Sequence, residues 1–332
     1  MPLALSHQND FSQPLVLIYN NRKMTHSTKT HVIQVQDHPV SITEFPPQHS
    51  NQCSVLINSA TGIRQQFYQA FAHYLTDRGY TVFTYDYRSI GQSKLQPLEN
   101  YDVSFTNWGQ EDYPAVARLM MRLHPEKKRF LIGHSIGGNC IGLSEVTNSF
   151  DGIITVGSHH GYLGHYPLHL QPYVYFKFAI LMPLLSKWYG YTPNKAKRMG
   201  DNLPKKVARE WALTCRRRES LTSILRPEEN FYHRIAQPML MISIEDDLIA
   251  PKKGVEALRK VYYNARVTRR HIRLREVAAR KIGHVNLFRR SFEPQWSIFT
   301  DWMDSIREQV ALNGRAPLSY HYHQQLYDYL GL

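Results

Sequence analysis

RFLIGHSIGGNC, residues 129–140, places one serine, Ser135, between two glycines at the end of an apolar run. Two readings fit: a glycine-rich turn that happens to hold a serine, and a nucleophile carried on a sharp bend between a strand and a helix. Gly133-His134-Ser135-Ile136-Gly137 satisfies the pattern G-x-S-x-G, whose glycines let strand and helix approach closely and leave the hydroxyl at the top of a sheet. Three fixed positions recur by chance in roughly one chain in ten of this size, so the flanking segments decide.

Those segments alternate strand and helix. HVIQVQDHPVSITEFPP (31–47) alternates apolar and polar residues around a turn at Asp37-His38, as a strand pair does. CSVLIN (53–58) reads as a buried strand, Gln66 to Arg78 as an amphipathic helix stopped by Gly79, and YTVFTYDYR (80–88) as the strand that closes a βαβ unit. Trp108 to Leu123 has helical spacing, RFLIGH (129–134) is a strand, and SIGGNCIGLSEV (135–146) opens another helix. DGIITVGS (151–158) and PMLMISI (238–244) are further apolar strands. After Pro251 the pattern predicts a helix to about Tyr263, a basic strand near His271 to Val277, and a last helix from about Pro294 to Val310.

Residues 161–232 break this alternation and are crowded with Tyr, Leu, His and Trp. They read as a mainly helical cap inserted into an α/β core of residues 29–160 and 233–312, with 1–28 as a poorly ordered N-terminal arm and 313–332 as a C-terminal tail. YVYFKFAILMPLLSKWYGY (173–191) is apolar, but Lys177, Pro183 and Lys187 interrupt it, short of the roughly 18 apolar residues a membrane span requires. It is expected as a cap helix lining an apolar pocket, with Tyr173, Phe176, Phe178, Leu181 and Trp188 supplying the surface. A helix resting peripherally on a membrane is the alternative.

A chain of 332 residues, 42% hydrophobic, buries a substantial core. Forty Lys and Arg against 27 Asp and Glu give a formal charge of +13, which attracts anionic surfaces. The runs Arg216-Arg217-Arg218 and Arg269-Arg270 lack the interleaved aromatics of a nucleic-acid module, so nucleic acid is not an expected partner. Cys53, Cys140 and Cys215 are too scattered for a disulfide framework, and PLVLIYN (14–20) lacks the flanks of a signal peptide; a cytoplasmic setting is expected.

A serine hydroxyl needs a base to take its proton, and the base needs an orienting carboxylate. MLMISIEDDLIAP (239–251) sets Asp246 and Asp247 just beyond a strand, and ARKIGHVNLF (279–288) sets His284 beyond the last one. The order Ser, Asp, His is that of the α/β-hydrolases. With GHSIGG (133–138), YDYRSIGQS (85–93) standing for a D-x-R-G-x-G-x-S stretch, and INSATG (57–62) standing where HG or HALTG is usual, residues 30–312 resemble the α/β-hydrolase superfamily. More narrowly they resemble cytosolic bacterial serine hydrolases related to the serine aminopeptidase and monoacylglycerol lipase-like branch. Asn58 and Ser59 depart from the usual pair at the third motif.

The resemblance implies an α/β-hydrolase fold: a mostly parallel central sheet flanked by helices. It implies Ser135 as nucleophile, His284 as base and Asp247 as acid, the last because G-x-x-D-x-x-x-P aligns with Ile244 to Pro251; Asp246 would then bond nearby backbone amides. Ala60 N–H, with Thr61 as the alternative, would join Ile136 N–H in the oxyanion hole. Thr61, His134, His159, His160 and Tyr162 are expected to contact a small-molecule acyl substrate, apolar in character, with a lipid-like ester favoured by the aromatic cap. The implied reaction is cleavage of a carboxylic ester without a cofactor; an acyltransferase on the same triad and a noncatalytic binding protein are the alternatives. His159, His160, His165 and His169 cluster without a carboxylate or cysteine to complete a metal site, so no metal is expected. Asp86 and Arg88 are expected to brace a loop, and Cys140 to lie in the core.

Overall fold

The apolar runs become the strands of one mixed sheet in the computed structural model, which describes residues 17–21, 27–193, 200–277 and 279–313. In chain order the strands are β1 (Leu17–Asn21), β2 (Thr28–Val35), β3 (His38–Phe45), β4 (Cys53–Asn58), β5 (Thr81–Tyr85), β6 (Lys128–His134), β7 (Gly152–Val156), β8 (Tyr191–Thr192), β9 (Leu203–Pro204), β10 (Pro238–Ile244) and β11 (Arg266–Ile272). The central sheet runs β1-β2-β3-β5-β4-β6-β7-β10-β11, while β8 and β9 pair by themselves. From β5 to β11 every neighbouring pair is parallel, and β1, β2 and β3 add an antiparallel flank. This is the α/β-hydrolase architecture, with helical insertions.

Strand alternation divides the core between the two faces of the sheet. Leu56, Phe83, Leu131, Ile153 and Met241 point to one side, where Trp108 and Met120 cover them. Val55, Ile57, Phe130, Ile132, Ile154 and Ile242 point to the other, under Phe71, Trp296 and Phe299. The Phe71 and Phe299 rings meet edge to face at 4.8 Å, so the helix Ser297–Asn313 closes over the helix Gln69–Thr76. Tyr80 Oη also donates to Asp304 at 2.6 Å.

The chain leaves β4 for β5 on one side and returns to β6 on the other, so the connections diverge between β4 and β6. Open α/β sheets bind ligands at the carboxyl ends of strands at such a reversal. Asn58 lies opposite Gly133 in register, which brings Ala60 and Ser135, each two residues further on, to the same end of the sheet.

Several boundaries differ from the sequence reading. The basic strand is Arg266–Ile272, about five residues earlier than expected, because it is an edge strand on which only Ile272 is buried and it offers no apolar run to mark it. The helix after Ser135 spans only Ile136–Cys140 before tightening into a 3₁₀ turn. Within residues 1–28, Leu17–Asn21 pairs antiparallel with β2 as a part of the sheet; the rest of that arm apart from Ser27 and Thr28, and residues 314–332 of the tail, lie outside the described residues.

The described residues of the segment 161–232 are mainly helical. Residues 171–189 form one helix whose middle, Tyr175–Leu181, widens into π geometry. Pro183 explains the distortion: it has no N–H to give Ala179 O four residues earlier. Arg216, from the neighbouring helix Lys205–Arg216, donates to that carbonyl instead. The expectation that this helix turns Tyr173, Phe176, Leu181 and Trp188 into a pocket is not met. Val174 and Ala179 face inward, and those four side chains are exposed. Phe178 alone of the five packs against the cap's small core of Tyr166, Val174 and Cys215.

Candidate active site

The strand β6 ends at His134, and Ser135 follows with φ +54° and ψ −121°. A non-glycine residue in that region stores about 1–3 kcal/mol of backbone strain, and it persists because the surroundings admit no other path. A Cβ on Gly133 would lie 2.4 Å from Gly138 Cα, and one on Gly137 would lie 2.3 Å from Asn58 O. The two motif glycines are therefore required by close approach of strand, helix and the β4 loop. Ser135 N–H donates to Val156 O at 2.8 Å, locking the turn to β7. The hydroxyl stands at the carboxyl end of the sheet, but the residue is only 3% exposed.

Ser135, His284 and Asp247 come together in one hydrogen-bonded line. Ser135 Oγ and His284 Nε2 are 2.8 Å apart, and His284 Nδ1 and Asp247 Oδ2 are 2.7 Å apart. A carboxylate can only accept, so Nδ1 carries the proton and neutral Nε2 accepts from the serine. Asp247 Oδ1 takes the N–H groups of Ile249 and Ala250, both at 2.9 Å. Burial pushes the Asp247 carboxyl up, but the charge and hydrogen bond of His284 with these two amides outweigh it and hold it below its ordinary value. Asp246 points the other way: its oxygens accept from Ile282 N–H at 3.0 Å and Gly283 N–H at 2.9 Å, fixing the backbone that leads into His284.

A second line of hydrogen bonds runs behind the first. His134 Nε2 donates to the His284 carbonyl at 2.9 Å, which leaves His134 Nδ1 to accept from Tyr68 Oη at 2.7 Å. Tyr68 Oη in turn accepts the N–H of Ala60 at 2.9 Å. Burial, then the nearby His284, lowers the His134 imidazole to about 3, so this ring is neutral at physiological pH. Two expectations change here. His134, expected against substrate, is buried with both nitrogens occupied, and the Ala60 N–H, expected to face a reacting oxygen, is spent on Tyr68.

Next to Ala60, the Thr61 hydroxyl is buried without a hydrogen-bond partner among the described residues. Ile136 N–H heads the short helix after the serine, where first-turn amides have no intrahelical acceptor. His159 is buried; its Nε2 donates to Tyr166 Oη at 3.1 Å while Tyr166 donates to Ile249 O at 2.7 Å. Its ring stacks on Trp211 of the cap with centroids 6.1 Å apart. Burial, and then His284, lowers it to about 3. His160 Nδ1 and His165 Nε2 are 3.1 Å apart, and burial followed by His165 lowers His160 to about 4. Tyr162 is half-buried, with its ring edge toward His165 at 5.5 Å.

Sequence reasoning missed Tyr68. Its spacing of eight residues from Ala60 and sixty-six from His134 carries no local signature, and only the fold brings the three together. It also missed a cavity of about 480 Å³ lined by Arg64, Phe67, Gln92, Lys94 and Asp201, which touches none of Ser135, His284 and Asp247. Asp86 and Arg88 brace their loop. Asp86 accepts from Gln65 N–H at 2.8 Å and Gln92 N–H at 3.0 Å, and Arg88 pairs with Asp112 at 2.6 Å and Glu111 at 2.7 Å. Cys140 is buried in the core. Among the described residues, no group of three or more His, Cys, Asp or Glu is placed to hold a metal ion, and no helix is long and apolar enough to cross a membrane.

A family model described as serine aminopeptidase, S33 matches residues 50–278. No curated protein sequence matches the chain. Among solved structures, a soluble variant of monoglyceride lipase from Saccharomyces cerevisiae, in complex with a substrate analog, is 17% identical with a TM-score of 0.58, covering 83% of this chain and 94% of its own. A thermostable carboxyl esterase from Bacillus coagulans is 13% identical with a TM-score of 0.52, covering 74% and 90%. An esterase from Pyrococcus furiosus is 16% identical with a TM-score of 0.53, covering 85% and 93%. At these identities the likeness is one of fold.

Proposed function

The chain belongs to the serine aminopeptidase S33 family of α/β-hydrolases, and on that premise we propose that it cleaves a carboxylic ester through an acyl-enzyme on Ser135. The observation that carries the reading is the unbroken line from Ser135 Oγ through His284 to Asp247 at 2.8 and 2.7 Å. Ser135 Oγ attacks the acyl carbon while His284 Nε2 takes its proton. The imidazolium, stabilised by Asp247, then protonates the leaving alkoxide, and a water activated by the same ring releases the acid. None of these steps calls for a cofactor.

The negative oxygen of the tetrahedral intermediate needs two donors. Ile136 N–H is one. With the Ala60 N–H occupied by Tyr68, the neighbouring Thr61, whose buried hydroxyl has no partner among the described residues, is the second. The line Ala60, Tyr68, His134, His284 carbonyl ties this oxyanion loop to the loop of the base. An apolar, lipid-like acyl group is favoured because aromatic rings, Trp211 against His159 and Phe178 against Trp211, extend from the strand end into residues 161–232.

Fluorophosphonate labelling tests the assignment. One adduct per chain is expected, on Ser135, and absent from Ser135→Ala; labelling that persists in that variant removes the serine from its role. Turnover of short p-nitrophenyl esters with and without added alcohols or amines separates hydrolysis from acyl transfer.

A further inference from the structure

The cap helix over residues 171–189 raises a question that its buried side does not answer. Trp188 is 86% exposed and, just ahead of the helix, Leu168 is 83% exposed; Tyr173, Phe176 and Leu184 on the same outer side are exposed as well. A stripe of this size is costly in water and marks a surface that meets something apolar. Its charge setting is equally one-sided. From residue 152 to residue 193 the sequence contains no Asp or Glu, while the helix carries Lys177 and Lys187; an acid from another segment, Glu99, packs against Gly190 at the helix's end. Lys177 Nζ stands 5.8 Å from the Tyr173 ring and Lys187 is exposed beside Trp188, so cations and aromatics share the face.

We propose that this face docks the protein onto an anionic lipid bilayer, lying in the interface rather than spanning it. Aromatic and aliphatic side chains enter the boundary between headgroups and acyl chains, and lysines beside them meet lipid phosphates. A second copy of the chain is disfavoured as the occupant, because it would set Lys177 and Lys187 against the same lysines of its partner. Nucleic acid would use the lysines but has no place for Leu168 and Leu184. The bilayer is the partner that accounts for both halves of the pattern.

The full chain should cosediment with vesicles of phosphatidylcholine mixed with phosphatidylglycerol far more than with phosphatidylcholine alone, and raised salt should weaken the binding. Leu184→Ser with Trp188→Ser should cost at least about tenfold in partitioning, and each of Lys177→Glu and Lys187→Glu about fivefold or more. Turnover of a short soluble ester should not change in these variants. Ser135→Ala should bind vesicles as the parent does, so loss of the hydrolytic reading would leave this one standing. Absence of binding, equal binding to both vesicle types, or binding indifferent to all four substitutions overturns the proposal. So does a sedimentation experiment in which the same substitutions dissolve a dimer.

Discussion

The carboxyl end of the sheet and the cap above it are built on opposite principles. At the sheet, Ser135, His284, Asp247, His134 and Tyr68 are each held by named partners at 2.7 to 2.9 Å, drawn from four separate stretches of chain. In the cap, Tyr173, Phe176, Leu184 and Trp188 are held by no such set and face outward. The difference teaches where substitutions act: near the sheet they change a rate or the fold, and on the outer cap they change partitioning.

The sharpest way to break that contrast is at the adjacent acids. Asp247→Asn removes the carboxylate that sets the His284 tautomer, and turnover should fall by at least about a hundredfold, toward the roughly 10⁴ such a loss causes in a serine protease triad. Asp246→Asn keeps an acceptor for only one of the Ile282 and Gly283 amides but leaves the Asp247 carboxylate on His284, and should cost less than about tenfold. The reverse ranking on one ester at one pH would exchange their roles.

A second test asks whether the core behind the site tolerates an unbalanced charge. Arg88 and Asp112 are both buried, and Asp112→Ala leaves the guanidinium with only the partly exposed Glu111. Urea unfolding should show a loss of about 3 kcal/mol, since breaking a buried pair strands a charge. A loss under about 1 kcal/mol would mean that Glu111 suffices.

The third is a pH experiment. Burial holds His134 and His159 at about 3 and His160 at about 4, below the ordinary 6.5. The unfolded chain takes up protons below pH 6.5 while the folded chain does not, so stability is complete above that pH and declines as pH falls toward 4. The slope should be up to about 1.4 kcal/mol per pH unit for each histidine. Thermal midpoints measured from pH 7.5 to 4 should show it, and His159→Gln should make the decline shallower. The smallest effect is expected in the cap. Arg216→Gln leaves Ala179 O without its donor, and hydrogen exchange should show the helix around Pro183 opening more easily by about 1 kcal/mol, with ester turnover unchanged.

The sequence carries the parts of this structure that depend on local pattern. The apolar runs at β4, β6, β7 and β10 are legible because a strand buried on both faces has few polar residues, and the glycines around Ser135 are legible because no side chain fits there. Asp246 is distinguishable from Asp247 only by its place relative to Pro251, yet the two point to different groups. β11 is illegible because four of its seven side chains are basic or histidine and only Ile272 is buried. The outward turn of Trp188 is hidden for the opposite reason: hydrophobicity gives no direction when a helix is apolar around most of its circumference. Tyr68 is one of 21 tyrosines, and nothing in its neighbours tells that its hydroxyl meets Ala60 and His134.

The packing of Phe299 on Phe71 and the bond from Tyr80 to Asp304 have a bearing on how the protein is made. Synthesis runs from the N-terminus at about 5–20 residues per second, and a folding unit can close only when its last contributor has left the ribosome. One face of the sheet, with Val55, Phe130, Ile154 and Ile242, waits for Trp296, Phe299 and Met303 to cover it. For the roughly 8 to 30 seconds of translation that separate Ser135 from Phe299, that sheet face has no roof. The growing polypeptide thus exposes apolar sheet surface that the completed molecule covers.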